Sequence, residues 1–214
     1  MMNRSDLINE LIRKNNYKSY LEIGLDNPNN NYNKIKCELK ECIDPFLEEH
    51  HKNGFDAKLT NEFLKSVESI LTYKMTSDEF FVQNNKKYDI IFIDGLHTKE
   101  QVAKDIINSL KVLNPGGKII VHDCLPNNER AQSVPRVQAY WNGDVWRTIP
   151  ELKKQNIKYF TVDCDQGLCV IDYIRVKKNL KEINSWEFTW ADFEKNKKEL
   201  MNVISEDEFR KIYL

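Results

Sequence analysis

Four apolar residues in a row, Ile90, Ile91, Phe92 and Ile93, stop abruptly at Asp94 and Gly95. An unbroken apolar run of that length marks a strand covered on both faces, as in a parallel sheet. Beyond His97, Val102, Ile106, Leu110 and Leu113 recur at helical spacing, so a helix is expected to fold back on that strand. The unit then recurs. Asn114-Pro115-Gly116-Gly117 turns the chain, Lys118 to Val121 reads as a second buried strand, and His122-Asp123 stand at its end. Two adjacent strands would deliver Asp94, His97, His122 and Asp123 to the carboxyl edge of the sheet, where open α/β sheets take their ligands.

The same patterning organises the rest of the chain. Ser5 is expected to cap a first helix striped by Leu7, Ile8, Leu11 and Ile12. Ser19–Ile23 reads as a strand ending on Gly24, with Glu22 just before it, and an asparagine-rich stretch from Leu25 to Lys34 follows. A short strand near Glu41-Cys42-Ile43 stops at Asp44-Pro45, because proline disfavours continuation. Phe46 to Lys58 reads as polar loop. Phe63, Leu64 and Val67 predict a helix, and Ile70 to Met75 a strand closed by Thr76-Ser77-Asp78. Residues 124–150 carry three prolines, three arginines and two tryptophans, with a helix expected around Val134 to Tyr140. A connection this long leaving a catalytic edge reads as a lid or binding loop. Tyr159 to Val162 and Leu168 to Val176 read as two strands joined at Asp165-Gln166-Gly167, forming an antiparallel edge. Residues 177–214, with Trp186, Trp190 and Phe193, read as a helical tail packed on the domain or on a partner subunit. The fold class is therefore α/β, a doubly wound, mostly parallel seven-stranded sheet in a single domain spanning 1–214.

Composition narrows the partners. With 32 Lys and Arg against 33 Asp and Glu in 214 residues, no global field would attract nucleic acid or an acidic membrane. The apolar runs are strand-sized, so neither a membrane span nor a secretory segment is expected. Five scattered cysteines without a CxxC pair point to a reduced, cytoplasmic protein.

Acids fall at successive strand ends, Glu22, Asp44 and Asp94, with Asp78 after the next strand. An acid ending the second strand suits a ribose diol, a feature shared by nicotinamide, flavin and S-adenosylmethionine sites. The first loop discriminates. A pyrophosphate needs a glycine-rich turn and bare amides, whereas here Gly24 stands alone and Asp26 would repel it. A sulfonium and an α-amino group are cations that tolerate acids, so a donor without phosphates fits better.

Leu21-Glu22-Ile23-Gly24, Ile43-Asp44-Pro45, Phe92-Ile93-Asp94-Gly95 and Pro115-Gly116-Gly117 resemble the ordered motifs of class I S-adenosylmethionine-dependent methyltransferases over residues 17–150. Through Asp94-Gly95-Leu96-His97 and His122-Asp123-Cys124 the chain is most similar to small-molecule O-methyltransferases, including enzymes that methylate sugar hydroxyls in surface-glycan or natural-product biosynthesis. The resemblance implies a Rossmann-like methyltransferase with Glu22 and Gly24 near the methionine part of the donor, and with Asp94 and Gly95 also among the cofactor-binding residues. It also implies Asp44 on the ribose, the Ser77-Asp78 turn near adenine, Asp94 and Asp123 as ligands of Mg²⁺, and His97 as base. The first loop departs from the family in lacking a second glycine.

Methyl transfer to oxygen is an in-line displacement in which a weak alcohol nucleophile must be positioned and relieved of its proton. His97, Asp94 and Asp123 carry that chemistry in this reading. Blander roles stand beside it: His97 bonding locally before a helix, Asp123 as a cap or cofactor-side acceptor, His122 as a supporting residue, and His50-His51 in solvent. Trp141 and Trp146 either cover the acceptor or belong to the core or a dimer contact, and Arg130, Arg136 and Arg147 are candidate grips for an anionic acceptor. The expected function is O-methylation of a sugar or sugar-containing small molecule, in a protein that could dimerise through its tail. The competing readings are a nicotinamide-dependent oxidoreductase and a non-catalytic methyltransferase-like scaffold.

Overall fold

The computed structural model describes residues 1–45, 61–172, 182–183 and 186–213. The expected loop at Phe46 to Lys58, with His50 and His51, lies outside them, as does the end of the last predicted strand beyond Asp172.

The apolar run forms β3 (Tyr88–Ile93), flanked by β1 (Ser19–Ile23) and β4 (Leu113–Val121), with β2 (Leu39–Ile43) outside β1. These four strands are parallel, in register so that Ile23 lies beside both Ile43 and Ile93, and Ile93 beside Val121. Side chains alternate between two cores, as strand geometry requires. Leu21, Ile91, Ile119 and Val121 face one layer, where helix α4 (Lys99–Val112) contributes Val102, Ile106 and Leu110. Tyr20, Ile90, Phe92 and Ile120 face the other, under Leu7, Ile8 and Leu11 of helix α1 (Arg4–Asn15). The sheet has seven strands in the order β2-β1-β3-β4-β6-β5-β7. β6 (Leu168–Asp172) runs antiparallel to both β4 and β5 (Lys158–Val162), so the predicted hairpin introduces the antiparallel part.

Several expectations need correction. Asn3, not Ser5, caps α1, in a capping box with Asp6, while Ser5 is buried against Asn31. Helix α2 (Asn61–Ile70) runs to Ile70, and the strand expected at Ile70 to Met75 is reduced to one bridge, Ile43 to Tyr73. Thr72 Oγ1 accepts the Cys42 N–H that a longer ladder would use, and Thr76 then caps helix α3 (Ser77–Gln83). The Asn114–Gly117 turn is an irregularity inside β4, where pairing slips from Tyr88–Leu113 to Ile90–Lys118. No helix forms at Val134 to Tyr140. Pro135 restrains the residue before it, and Arg136 and Gln138 spend their side-chain donors on the carbonyls of Gln138, Ala139 and Tyr140. The tail is not one helix either. After the short helix α5 (Ile149–Lys154), α6 (Trp190–Leu200) ends before left-handed Asn202, β7 (Val203–Ile204) adds to β5, and α7 (Glu206–Tyr213) starts anew. β7 supplies the seventh strand in place of Ile70 to Met75. Among the described residues no helix is long and apolar enough to cross a membrane.

Candidate active site

Because β1, β2, β3 and β4 end in register, the next residues, Gly24, Asp44, Asp94 and His122, stand along one edge. Gly24 N–H donates to the Ile43 carbonyl at 2.9 Å, Asp94 N–H to Ile23 at 2.9 Å, and His122 N–H to Ile93 at 3.0 Å. Above this edge opens a cavity of about 790 Å³, within the size range of cofactor sites. Leu25, Asp26, Asp44, Ser77 and Asp78 line it together with His97, Asp123 and Trp141, and the strand order sets Asp44, after β2, and Asp123, after β4, at opposite sides of the edge.

Gly24 adopts φ +92°, and an added Cβ would lie 2.2 Å from the Asp94 carbonyl oxygen, so only glycine closes this corner. Asp44 accepts from Leu25 N–H at 2.8 Å and thereby shapes the first loop. Ser77 and Asp78 open α3, and Gln101 Nε2 of α4 lies 3.1 Å from Ser77 Oγ, Asp78 Oδ1 and Asp105 Oδ1. Burial pushes the Asp105 carboxyl up to about 6, while Lys104 and Gln101 hold Asp78 below the usual carboxylate range.

Glu22 is not among the cavity-lining residues. It lies on the α1 side of the sheet, accepting from Tyr20 Oη and, at 3.0 Å, from Asn31 Nδ2. Burial pushes its carboxyl up to about 8. The folded state therefore holds a proton that the unfolded chain releases near its ordinary value of 4.5, so the Glu22 contribution is lost as pH rises between those two values. Glu22→Gln mimics the neutral form, and its melting temperature is expected to decline less steeply than wild type between about pH 5 and 8. Thermal scans across that range with equal slopes would remove the assignment.

On the Asp123 side His97 sits between two acids. Its Nε2 lies 3.3 Å from Asp94 Oδ1 and its Nδ1 3.2 Å from Asp123 Oδ2. Nδ1 is nevertheless buried without a hydrogen bond. Burial alone would lower the His97 pKa, but Asp123 and then Asp94 outweigh it and hold it above 6.5. The Trp141 ring stacks on the imidazole, centroids 5.1 Å apart and planes 18° apart. Asp123 itself occupies left-handed backbone, φ 62°, a conformation that concentrates at functional sites.

Three residues that sequence patterning did not single out complete the cluster. Arg4 reaches over from the first turn of α1, with Nη1 2.9 Å from Asp94 Oδ2 and both Nε and Nη2 2.9 Å from the Asp165 carboxylate. Asn142 Nδ2 donates to Asp123 Oδ1 at 2.8 Å. Nothing local in the sequence signals Arg4, since its partners are 90 and 161 residues away. Asp165 belongs to the legible Asp-Gln-Gly turn, but its role depends on that turn reaching the rim. His122 holds the group together, with Nδ1 3.1 Å from Asp94 Oδ1 and Nε2 2.9 Å from the Asp165 carbonyl.

The tryptophan pair divides. Trp141 borders the cavity, whereas Trp146 is fully buried against Phe193 at 4.5 Å between ring centroids. Of the three arginines, Arg136 lines the cavity, Arg130 is exposed, and Arg147 donates to the Phe188 carbonyl.

Asp94, His97 and Asp123 offer donor atoms within 4.8 Å of one another, close enough to reach a common ion. The donor set does not fit Mg²⁺, which seeks carboxylate oxygens and water. Both oxygens of each acid already face nitrogen. Asp94 Oδ1 faces His122 and His97, Asp94 Oδ2 faces Arg4, Asp123 Oδ1 faces Asn142, and Asp123 Oδ2 faces both imidazoles at 3.2 Å.

Residues 25–124 match the model of a methyltransferase domain family. Comparison with curated proteins returns no match. Among solved structures, the chain is similar to a Staphylococcus aureus protein described as a caffeoyl-CoA O-methyltransferase, at 19% identity, 80% and 84% coverage of the two chains and a TM-score of 0.54. It is also similar to the Podospora anserina methyltransferase PaMTH1 bound to S-adenosylhomocysteine (SAH), at 14% identity, 81% and 80% coverage and TM-score 0.54. An O-methyltransferase from Bacillus cereus in complex with SAH matches at 12% identity, 81% and 83% coverage and TM-score 0.51. Residues 25–124 thus resemble a methyltransferase domain, and the chain shares the fold of these solved methyltransferase structures.

Proposed function

We propose that this protein is an O-methyltransferase that uses S-adenosylmethionine to methylate a hydroxyl of a small molecule, with His97 as the base. The observation that carries the reading is the buried, unbonded His97 Nδ1 beside Asp123, across the sheet edge from Asp44. When bound, the donor supplies an electrophilic sulfonium methyl group. Asp44 and the Ser77-Asp78 turn serve its ribose and adenine, and the Gly24 corner accepts its amino-acid end beside Asp94. A nicotinamide cofactor suits the same edge poorly, because Asp26 lines the cavity and the Leu25 N–H is committed to Asp44.

Asp94 fixes the hydrogen on His97 Nε2, which leaves the Nδ1 lone pair to take the acceptor's proton. Asp123, 3.2 Å away, then stabilises the imidazolium that forms. The acceptor class assigned is a sugar or sugar-containing molecule. Trp141 offers a ring at the cavity wall, and Gln166 and Arg136 are polar groups beside it. All five cysteines are unpaired, which favours a reducing compartment.

Calorimetric titration with SAH and with NADH tests the donor assignment. Binding of SAH alone is expected. Asp44→Asn keeps one acceptor for Leu25 N–H but loses the charge, and should weaken SAH about 10-fold. Preferential NADH binding, or SAH affinity indifferent to Asp44→Asn, would reject the assignment. A mass-spectrometric screen for a methyl-sized gain across candidate sugars identifies the acceptor.

A further inference from the structure

His122 stands between the two acids that the family resemblance offered to a metal ion. Its Nδ1 lies 3.1 Å from Asp94 Oδ1 and 3.2 Å from Asp123 Oδ2, and its Nε2 lies 2.9 Å from the main-chain carbonyl of Asp165. A carbonyl and ionised carboxylates only accept, so both ring nitrogens carry hydrogen and the ring is a cation. Its side chain is 2% exposed, which leaves that charge unscreened by solvent. Arg4 adds a second cation on the opposite oxygen of Asp94, held in a two-pronged pair with Asp165. Three carboxylates, Asp94, Asp123 and Asp165, thus face two fixed positive charges, with His97 as a third partner whenever it holds its proton. A divalent ion placed on Asp94 and Asp123 would meet the His122 N–H and the Arg4 guanidinium at close range. It would also have to displace a facing nitrogen from every oxygen it needs.

We infer that His122 and Arg4 are built-in counter-cations that hold Asp94 and Asp123 in place of a divalent metal ion, so that this site works without one. The inference rests on the methyltransferase reading above. It assigns Arg4 and His122 as positioning residues: they hold the acids that orient His97 and do not themselves touch the reacting atoms.

The test uses the metal-stripped full-length protein. Calorimetry with Mg²⁺ and with Mn²⁺ is expected to give no saturable heat, and SAH affinity should be the same in EDTA as in excess Mg²⁺. The double variant Arg4→Met, His122→Asp removes both cations and adds an acid. It is expected to gain saturable Mn²⁺ binding at least 10-fold tighter than the limit set for wild type. Stoichiometric Mg²⁺ or Mn²⁺ binding by the wild type, abolished by Asp123→Asn, would overturn the inference. So would a folded double variant that takes up no divalent ion. Should the double variant fail to fold, the wild-type titrations decide alone. Should SAH fail to bind under every condition, the methyltransferase reading falls while the metal titrations still report on the cations.

Discussion

His97→Ala is expected to lower kcat by about 10²- to 10⁴-fold, the usual worth of a positioned general base, while SAH affinity stays close to wild type. The separation follows from where the residue sits. Its imidazole lies beside Asp123 and Trp141, across the sheet edge from Asp44, where the donor's ribose is assigned. A base works only when neutral, and Asp123 and Asp94 hold His97 above 6.5 against the effect of burial. Turnover should therefore rise with pH through a midpoint above that value. Asp123→Asn removes the larger of the two raising charges, so it should move the midpoint down and weaken the base. Rate profiles against pH for wild type, His97→Ala and Asp123→Asn check both statements. Undiminished turnover in His97→Ala, or a midpoint indifferent to Asp123, would remove His97 from the chemistry.

Gly24→Ala is expected to be severely destabilising for a single added methyl. The added Cβ would lie 2.2 Å from the Asp94 carbonyl oxygen and 2.6 Å from both the Asp94 carbonyl carbon and Gly95 Cα, on backbone at φ +92°. All three are main-chain atoms, so no rotamer relieves the clash, and β1 and β3 must part where the donor site begins. A cost of about 4 kcal/mol or more belongs to this class of change, roughly a 10 °C fall in Tm for a chain of this size. Gly116→Ala is the control. Its φ is +82°, yet nothing lies within 4 Å of the added methyl, so only backbone strain of about 1 kcal/mol is expected. Thermal denaturation of both variants tests this, and a Gly24→Ala protein melting beside Gly116→Ala would contradict the packing at that corner.

Much of the fold could be read from patterning because buried parallel strands announce themselves. Ser19–Ile23 and Ile90–Ile93 fall where the apolar runs place them, and register then carries Asp44, Asp94 and Asp123 to one rim. Weak patterns misled. At Ile70 to Met75 a threonine side chain satisfied a backbone donor and ended the ladder, and at Val134 to Tyr140 local side-chain bonds replaced a helix. Glu22 shows the limit of strand-end reasoning. One residue short of the edge, it points to the face opposite its neighbours Leu21 and Ile23 and is buried beside Tyr20. Arg4 and Asn142 were beyond reach, since each meets its acid only after the chain has closed a long loop. His122 read as a supporting residue, and the structure makes it the hub of the acidic cluster.

A crystal structure of the protein with SAH at saturating concentration is the most direct measurement. The ribose hydroxyls are expected on Asp44, the adenine at Ser77 and Asp78, and the sulfur pointing toward His97. Density for SAH outside this cavity, or none at saturation, would show that the sheet edge does not hold the methyl donor.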